Sequence, residues 1–360
     1  MSGPAPAALS LPEEPALAAA LRQAASAVGF HAPFAVEVVP GGKVLVESAG
    51  GAVRRLFGAP PVVKLGFHAL RSLSQAEVSA LVASGLLARQ WTFSSASGKR
   101  KRLEAADLAV AQAFGGDVLS SALRREAEAA EAYARNGWGA ASALRKAGLP
   151  CTDLSACLQA MDGATPEVLR RDRLALRLAR ADAPFRDTYA ARIARIEAAA
   201  KTGPAAPATR SEPATVWLRD AAATSAAITR AHVARVEAHL ASMGETASAE
   251  LPLRPGAEKS FCEGIALHDA ASELSQRKSD EANPVALAAL QKLEQALGRH
   301  HPMLVPALAN AARATDRMGD PAASREPLER AIAIHTAQPD ADPNETLRLQ
   351  TLLGRIGEAA

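Results

Sequence analysis

The chain has 360 residues, 48% of them hydrophobic but only 4% aromatic, and 22% charged with a formal net charge of +3. Alanine makes up roughly a quarter of it, which favours helix with small, numerous core contacts and excludes an extended all-β protein. With 41 basic and 38 acidic residues there is no broad field for a nucleic-acid backbone or an anionic membrane, so binding by bulk charge is excluded.

A chain of this length is expected to form two or three domains and to bury a substantial core. Cys151, Cys157 and Cys262 form no CxxC pair, and an odd count without a secretory signal argues against a disulfide framework. They read as reduced, buried spectator thiols. No apolar run approaches the roughly 18 to 20 residues that cross a bilayer. The amino terminus has no basic region and places Glu13 and Glu14 ahead of its apolar stretch, so the expectation is a soluble cytoplasmic protein.

In chain order, apolar spacing predicts an amphipathic helix near 13–28. The segment FAVEVVPGGKVLVES then carries β-branched runs on both sides of Gly41 and Gly42, a hairpin signal. A third apolar run at 60–66 ends in glycine and leads to a helix over about 74–90, where Ser74 caps the start and Glu77 reaches back. From Leu103 onward helical spacing dominates, with breaks expected at Gly115-Gly116, Asn136-Gly137, Gly148 to Pro150 and Gly163. Residues 201–215 hold three prolines among small and polar residues and read as a linker. A helix near 219–243 and a second loop precede a last helical region, in which LEQAL at 293–297 recurs as LERAI at 328–332. Such an offset points to stacked helical hairpins.

The segment from Pro60 to Ala88 resembles the HtpX-like and CAAX-prenyl-protease-like zinc metallopeptidases, with Leu73, Ser74, Glu77, Ala80 and Ala83 fitting the phrase that leads into HExxH. Two later stretches extend the resemblance. Ala106 and Asp107 match the end of the ExxAD motif, and Phe185, Asp187, Thr188, Arg195 and Ile196 match a phrase further on. The family binds zinc through two histidines four apart and a glutamate, and a second glutamate activates the metal-bound water. Here HExxH falls on Ser84, Gly85, Leu86, Leu87 and Ala88, the ligand glutamate on Leu103, and a later histidine on Tyr189. Serine, glycine, alanine and leucine supply neither the ligands nor the base. The resemblance therefore implies a degenerate, non-catalytic domain with no cofactor, and Glu104 alone cannot restore a zinc site.

The carboxy-terminal region resembles tetratricopeptide repeats of the kinesin-light-chain-like type. In residues 301–334, Gly319 occupies the inter-helix turn and Leu328 and Ala331 the packing positions of the second helix. Ser324 stands where alanine is usual. Ala289, Leu293 and Ala296 take the same roles one unit earlier, residues 259–278 supply that unit's first helix, and the terminal NETLRLQTLLGRIG reads as a cap. The resemblance implies a groove for a protein or peptide partner.

The fold class expected is thus mainly α with a small amino-terminal sheet, followed by a helical repeat region. The parts are an amino-terminal helical segment (1–29), a metallopeptidase-like domain (30–200), a linker (201–215), a helical connector (216–255) and tetratricopeptide-like repeats (256–360). An active zinc metallopeptidase with atypical ligands is the alternative. Other chemistry is sparse. His232 and His239 share a helix face two turns apart and read as surface residues. Cys262 and His268 fall nearly opposite on a helix, His300-His301 reads as a repeat loop, and Lys99 to Arg102 as a solvated loop after Trp91 and Phe93.

Overall fold

Helix carries most of the chain, as the alanine content requires. The structure is a computed structural model that describes residues 14–48, 60–89, 96–182, 187–200, 212–244 and 255–358. Among these are 14 α-helices, a three-stranded sheet near the amino terminus and a two-stranded one. The protein is mainly α with a small sheet. Its contacts divide it into two compact units, Met1–Arg135 with Arg171–His232 and Asn136–Arg170 with Val233–Ala360. This partition differs from the ranges drawn from the sequence, since residues 136–170 cluster with the carboxy-terminal helices.

In the first unit, α1 (Pro15–Ala27) starts on a proline and buries Leu17, Leu21, Ala24 and Ala25 along one face. Strands β1 (Ala35–Val39) and β2 (Val44–Ser48) form on either side of the two glycines, but they do not pair with each other. The hairpin expectation is corrected by β3 (Pro61–Gly66), which lies between them, parallel to β1 and antiparallel to β2. Val63 and Leu65 are fully buried, so β3 is the apolar strand suited to the centre. The Gly41-Gly42 turn crosses the end of β3: Gly66 N–H donates to Lys43 O and His68 N–H to Gly41 O. A Cβ on Gly66 would lie 2.4 Å from Gly41 O, so this crossing requires glycine.

A short helix, α2 (Phe67–Ser72), follows directly, and α3 (Gln75–Arg89) begins with a reciprocal capping box. Ser74 N–H donates to Glu77 Oε2 at 2.7 Å and Glu77 N–H to Ser74 Oγ at 3.2 Å. Helix α4 (Ala96–Phe114) ends at Gly115, whose φ of 97° is left-handed, and α5 (Gly116–Lys146) starts beyond it. Strands β4 (Ala181–Asp182) and β5 (Asp187–Thr188) pair before α8 (Tyr189–Ala200). The basic run from Lys99 to Arg102 lies inside α4 rather than in a loop, while Trp91, Phe93 and Phe185 fall outside the described residues. Most of the expected linker, 201–211, also falls outside them. Its last residues are docked: Pro213 bridges to Ser74, Ala214 N–H donates to Leu73 O, and Ala214 is fully buried.

Asn136-Gly137 does not break α5. In the second unit Ala141 of this helix packs with Val236 and Leu240 of α9 (Ala221–Ser242). That burial offsets a glycine cost of about 1 kcal/mol. After Gly148 at φ 68°, Asp153 caps α6 (Leu154–Ala164) by accepting from Ala156 N–H; α7 (Glu167–Ala179) follows Pro166. Helix α6 packs on α10 (Ala257–Gln276), and α10 pairs with α11 (Ala282–Leu297) across a short turn. Likewise α12 (Val305–Arg317) pairs with α13 (Pro321–Thr336), and α14 (Pro343–Glu358) closes the series on α13. Gly264 marks the closest approach of α10 and α11, since a Cβ there would lie 2.7 Å from Leu293 Cγ. Successive pairs also meet: Ala271, Ala286 and Ala314 cluster, and Arg330 forms an ion pair with Glu294.

Candidate functional site

The positions of the metallopeptidase resemblance come together in the first unit. Ser84 of α3 is buried, and its Oγ donates to Asp107 Oδ1 of α4 at 2.7 Å. Arg192 of α8 holds both oxygens of the same carboxylate, Nη2 to Oδ1 at 2.8 Å and Nε to Oδ2 at 2.9 Å. A bidentate pair of this kind fixes both partners and leaves Asp107 fully engaged. Burial opposes the Arg192 charge, but Asp107 outweighs it and holds the guanidinium above the ordinary arginine range.

Tyr189 opens α8, and its hydroxyl donates to Glu126 Oε2 of α5 at 2.9 Å. Val44 N–H of β2 donates to Glu126 Oε1 at 2.7 Å. Burial pushes the Glu126 carboxyl above its ordinary value, against the pull of the Val44 hydrogen bond, Arg192, Tyr189 and Lys43. Lys43 and Arg177 both lie over the Tyr189 ring, at 5.9 and 5.1 Å from its centre.

Ala88 and Leu103, where the resemblance has two metal ligands, lie in one small apolar cluster with Ala106. Gly85, at the position of the general base, faces Val46 of β2. The arrangement is thus a set of tied polar contacts beside an apolar contact. It ties β2, α3, α4, α5 and α8 together and presents no histidine.

In the second unit Leu293, Ala296, Leu328 and Ala331 are all buried, and Gly319 takes φ 83° in the turn before α13. Ser324 is fully buried, its hydroxyl donating to Pro321 O at 2.7 Å. One face of the pairs carries a pocket of about 350 Å³ lined by Ser272, Ser275, Asn283, Asn310, Arg313 and Arg317. Burial, together with repulsion from Arg348 and Arg317, holds the Arg313 guanidinium below the ordinary range.

The histidines and cysteines depart from the sequence reading in two places. His232 is buried against Tyr133, its Nδ1 3.3 Å from the hydroxyl, whereas His239 is exposed beside Trp138. His301 caps a 3-10 turn by accepting from Met303 N–H, and His268 is set beside Asn310. The cysteines converge: Cys151, Cys157 and Glu258 present ligand atoms all within 4.8 Å of one another, and Cys157 contacts Cys262. Among the described residues this is the group of three or more His, Cys, Asp or Glu placed to share a metal ion. The sequence signal for it is one-sided, since Glu258 and Cys262 stand four apart on one helix face while their partners lie about 100 residues away.

Comparison of the chain with protein-family models, characterised proteins and solved structures finds no match.

Proposed function

We propose that the chain is a non-catalytic, metallopeptidase-like cytoplasmic protein that serves as an interaction or scaffold protein, with tetratricopeptide-like repeats in its second unit taking an acidic segment of a protein partner. The observation that carries this reading is the pocket holding Asn310, Arg313 and Arg317. Amide and guanidinium donors there are oriented by neighbouring hydroxyls: Asn310 Nδ2 donates to Ser272 Oγ at 3.3 Å and Arg317 Nη1 to Ser275 Oγ at 2.6 Å. Arg348 is already paired with Glu345, but Arg313 and Arg317 repel each other in the pocket, and an anion offsets that repulsion. The non-catalytic part rests on Ala88 and Leu103, whose apolar contact supplies no donor, and on Gly85, which carries no base.

The test is fluorescence anisotropy of a labelled Glu-rich peptide with the full chain, alongside incubation with unfolded casein and added Zn²⁺. The peptide should bind, and Arg313→Ala and Arg317→Ala should each weaken it about tenfold, or about 1.4 kcal/mol. Casein should stay intact. Binding indifferent to both arginines overturns the acidic-segment reading, and casein cleavage favours an active zinc peptidase with atypical ligands instead.

A further inference from the structure

Cys151 and Cys157 stand close in sequence and Cys262 lies about 100 residues further on, yet the three meet at one place in the second unit. Cys151 precedes α6, Cys157 sits in its first turn, and Glu258 and Cys262 are neighbours along α10. The ligand atoms of Cys151, Cys157 and Glu258 lie within 4.8 Å of one another. Two thiolates on one tetrahedral Zn²⁺ at about 2.3 Å stand about 3.8 Å apart, so the group needs a contraction of about 1 Å to close on an ion. Cys262, four residues after Glu258 on α10, also bears on the Cys157 thiol, which brings a third sulfur to the edge of the set.

The carboxylate is already oriented. Thr152 donates to Glu258 twice, through N–H to Oε1 at 2.9 Å and through Oγ1 to Oε2 at 2.6 Å, and Cys157 Sγ donates to Oε1 at 3.2 Å. The threonine bonds are the outer contacts that hold a ligating carboxylate in place, and the thiol bond is the one a metal replaces. The site is reachable from solvent: Cys151 is half-buried, and Cys157 and Glu258 line a groove with Thr152 and Asp153.

We propose that Cys151, Cys157 and Glu258, with Cys262 as the fourth ligand, form a binding site for Zn²⁺. Sulfur ligands disfavour Mg²⁺ and Ca²⁺, which take oxygen donors, and the carboxylate disfavours Cu⁺. Each ligating thiol gives its proton to solvent, so binding strengthens as pH rises. Four protein ligands leave no open position, so the ion is structural and ties the start of α6 to α10, independent of the residues that align with HExxH.

The test titrates the reduced full chain with Co²⁺ under argon and follows thiolate-to-cobalt charge transfer, then displaces the cobalt with Zn²⁺. The expected result is one ion per chain with a tetrahedral spectrum. Zn²⁺ should raise the melting temperature. Cys157→Ser should abolish both effects and Cys151→Ser, at the half-buried position, should weaken binding at least tenfold with the fold intact by circular dichroism. Ser84→Ala should leave binding unchanged. Absence of charge transfer in the wild type, or its persistence in both cysteine variants, overturns the site; its loss in Ser84→Ala would place the ion in the first unit instead.

Discussion

Val46 and Gly85 meet so closely that a Cβ on Gly85 would lie 2.5 Å from Val46 Cγ2 and 3.2 Å from Val46 Cβ. Strand β2 therefore rests on α3 at a glycine. Two effects oppose each other there. Alanine in place of a helical glycine gains about 1 kcal/mol of propensity, whereas forcing a methyl group into a filled contact costs about 1–3 kcal/mol. Gly85→Ala should thus destabilise the protein by about 1 kcal/mol on balance, and in a Val46→Ala background, where only the 3.2 Å approach to Cβ remains, the same substitution should cost less by about 1 kcal/mol. Urea unfolding of the four chains measures this cycle. A stabilising Gly85→Ala beside wild-type Val46 would show that β2 does not bear on α3.

Ser84 and Arg192 hold the same carboxylate but differ in what their loss leaves behind. Ser84→Ala removes one hydrogen bond while Arg192 still satisfies Asp107, so the cost should be about 1 kcal/mol. Asp107→Ala strands a guanidinium whose side chain is only 16% exposed, and should cost about 3–5 kcal/mol. Adding Arg192→Met to Asp107→Ala should then recover part of that loss. Chemical unfolding of the three variants decides it, and a Ser84→Ala cost equal to that of Asp107→Ala would mean the ion pair is not what holds α8 to α4.

The parts of this fold that were legible in the sequence are those decided by neighbours along the chain. Ser74 and Glu77 are three residues apart, and their reciprocal bonds follow from local geometry alone. Partners were not legible in the same way. The runs flanking Gly41-Gly42 are strands, but alternation does not say which strand lies beside which, and the more deeply buried β3 takes the centre. Asn136-Gly137 carries a turn signal that the packing of Ala141 on α9 overrides. His232 reads as a surface residue because nothing in the local pattern announces Tyr133, 99 residues away. The cysteine cluster was hidden for the same reason, as only the packing of α6 on α10 brings Cys157 to Glu258 across 101 positions.

Ala331 sits on α13 with no exposed surface, next to Arg330, whose ion pair with Glu294 reaches back to α11. Ala331→Arg adds a charge where there is no water and no acidic partner fixed for it, and should cost several kcal/mol. Stacked helical pairs pass such damage chiefly to their neighbours. Hydrogen exchange should therefore lose most protection in α12, α13 and α14, less in α10 and α11, and least in α6, which meets the series only through α10. Protection in β3 and α3 of the first unit should stay as in the wild type, because these elements belong to a separate set of contacts. An even loss across both units would mean that they unfold as one, and unchanged exchange in α12 to α14 would mean that the α13 contact surface at Ala331 has room for a guanidinium.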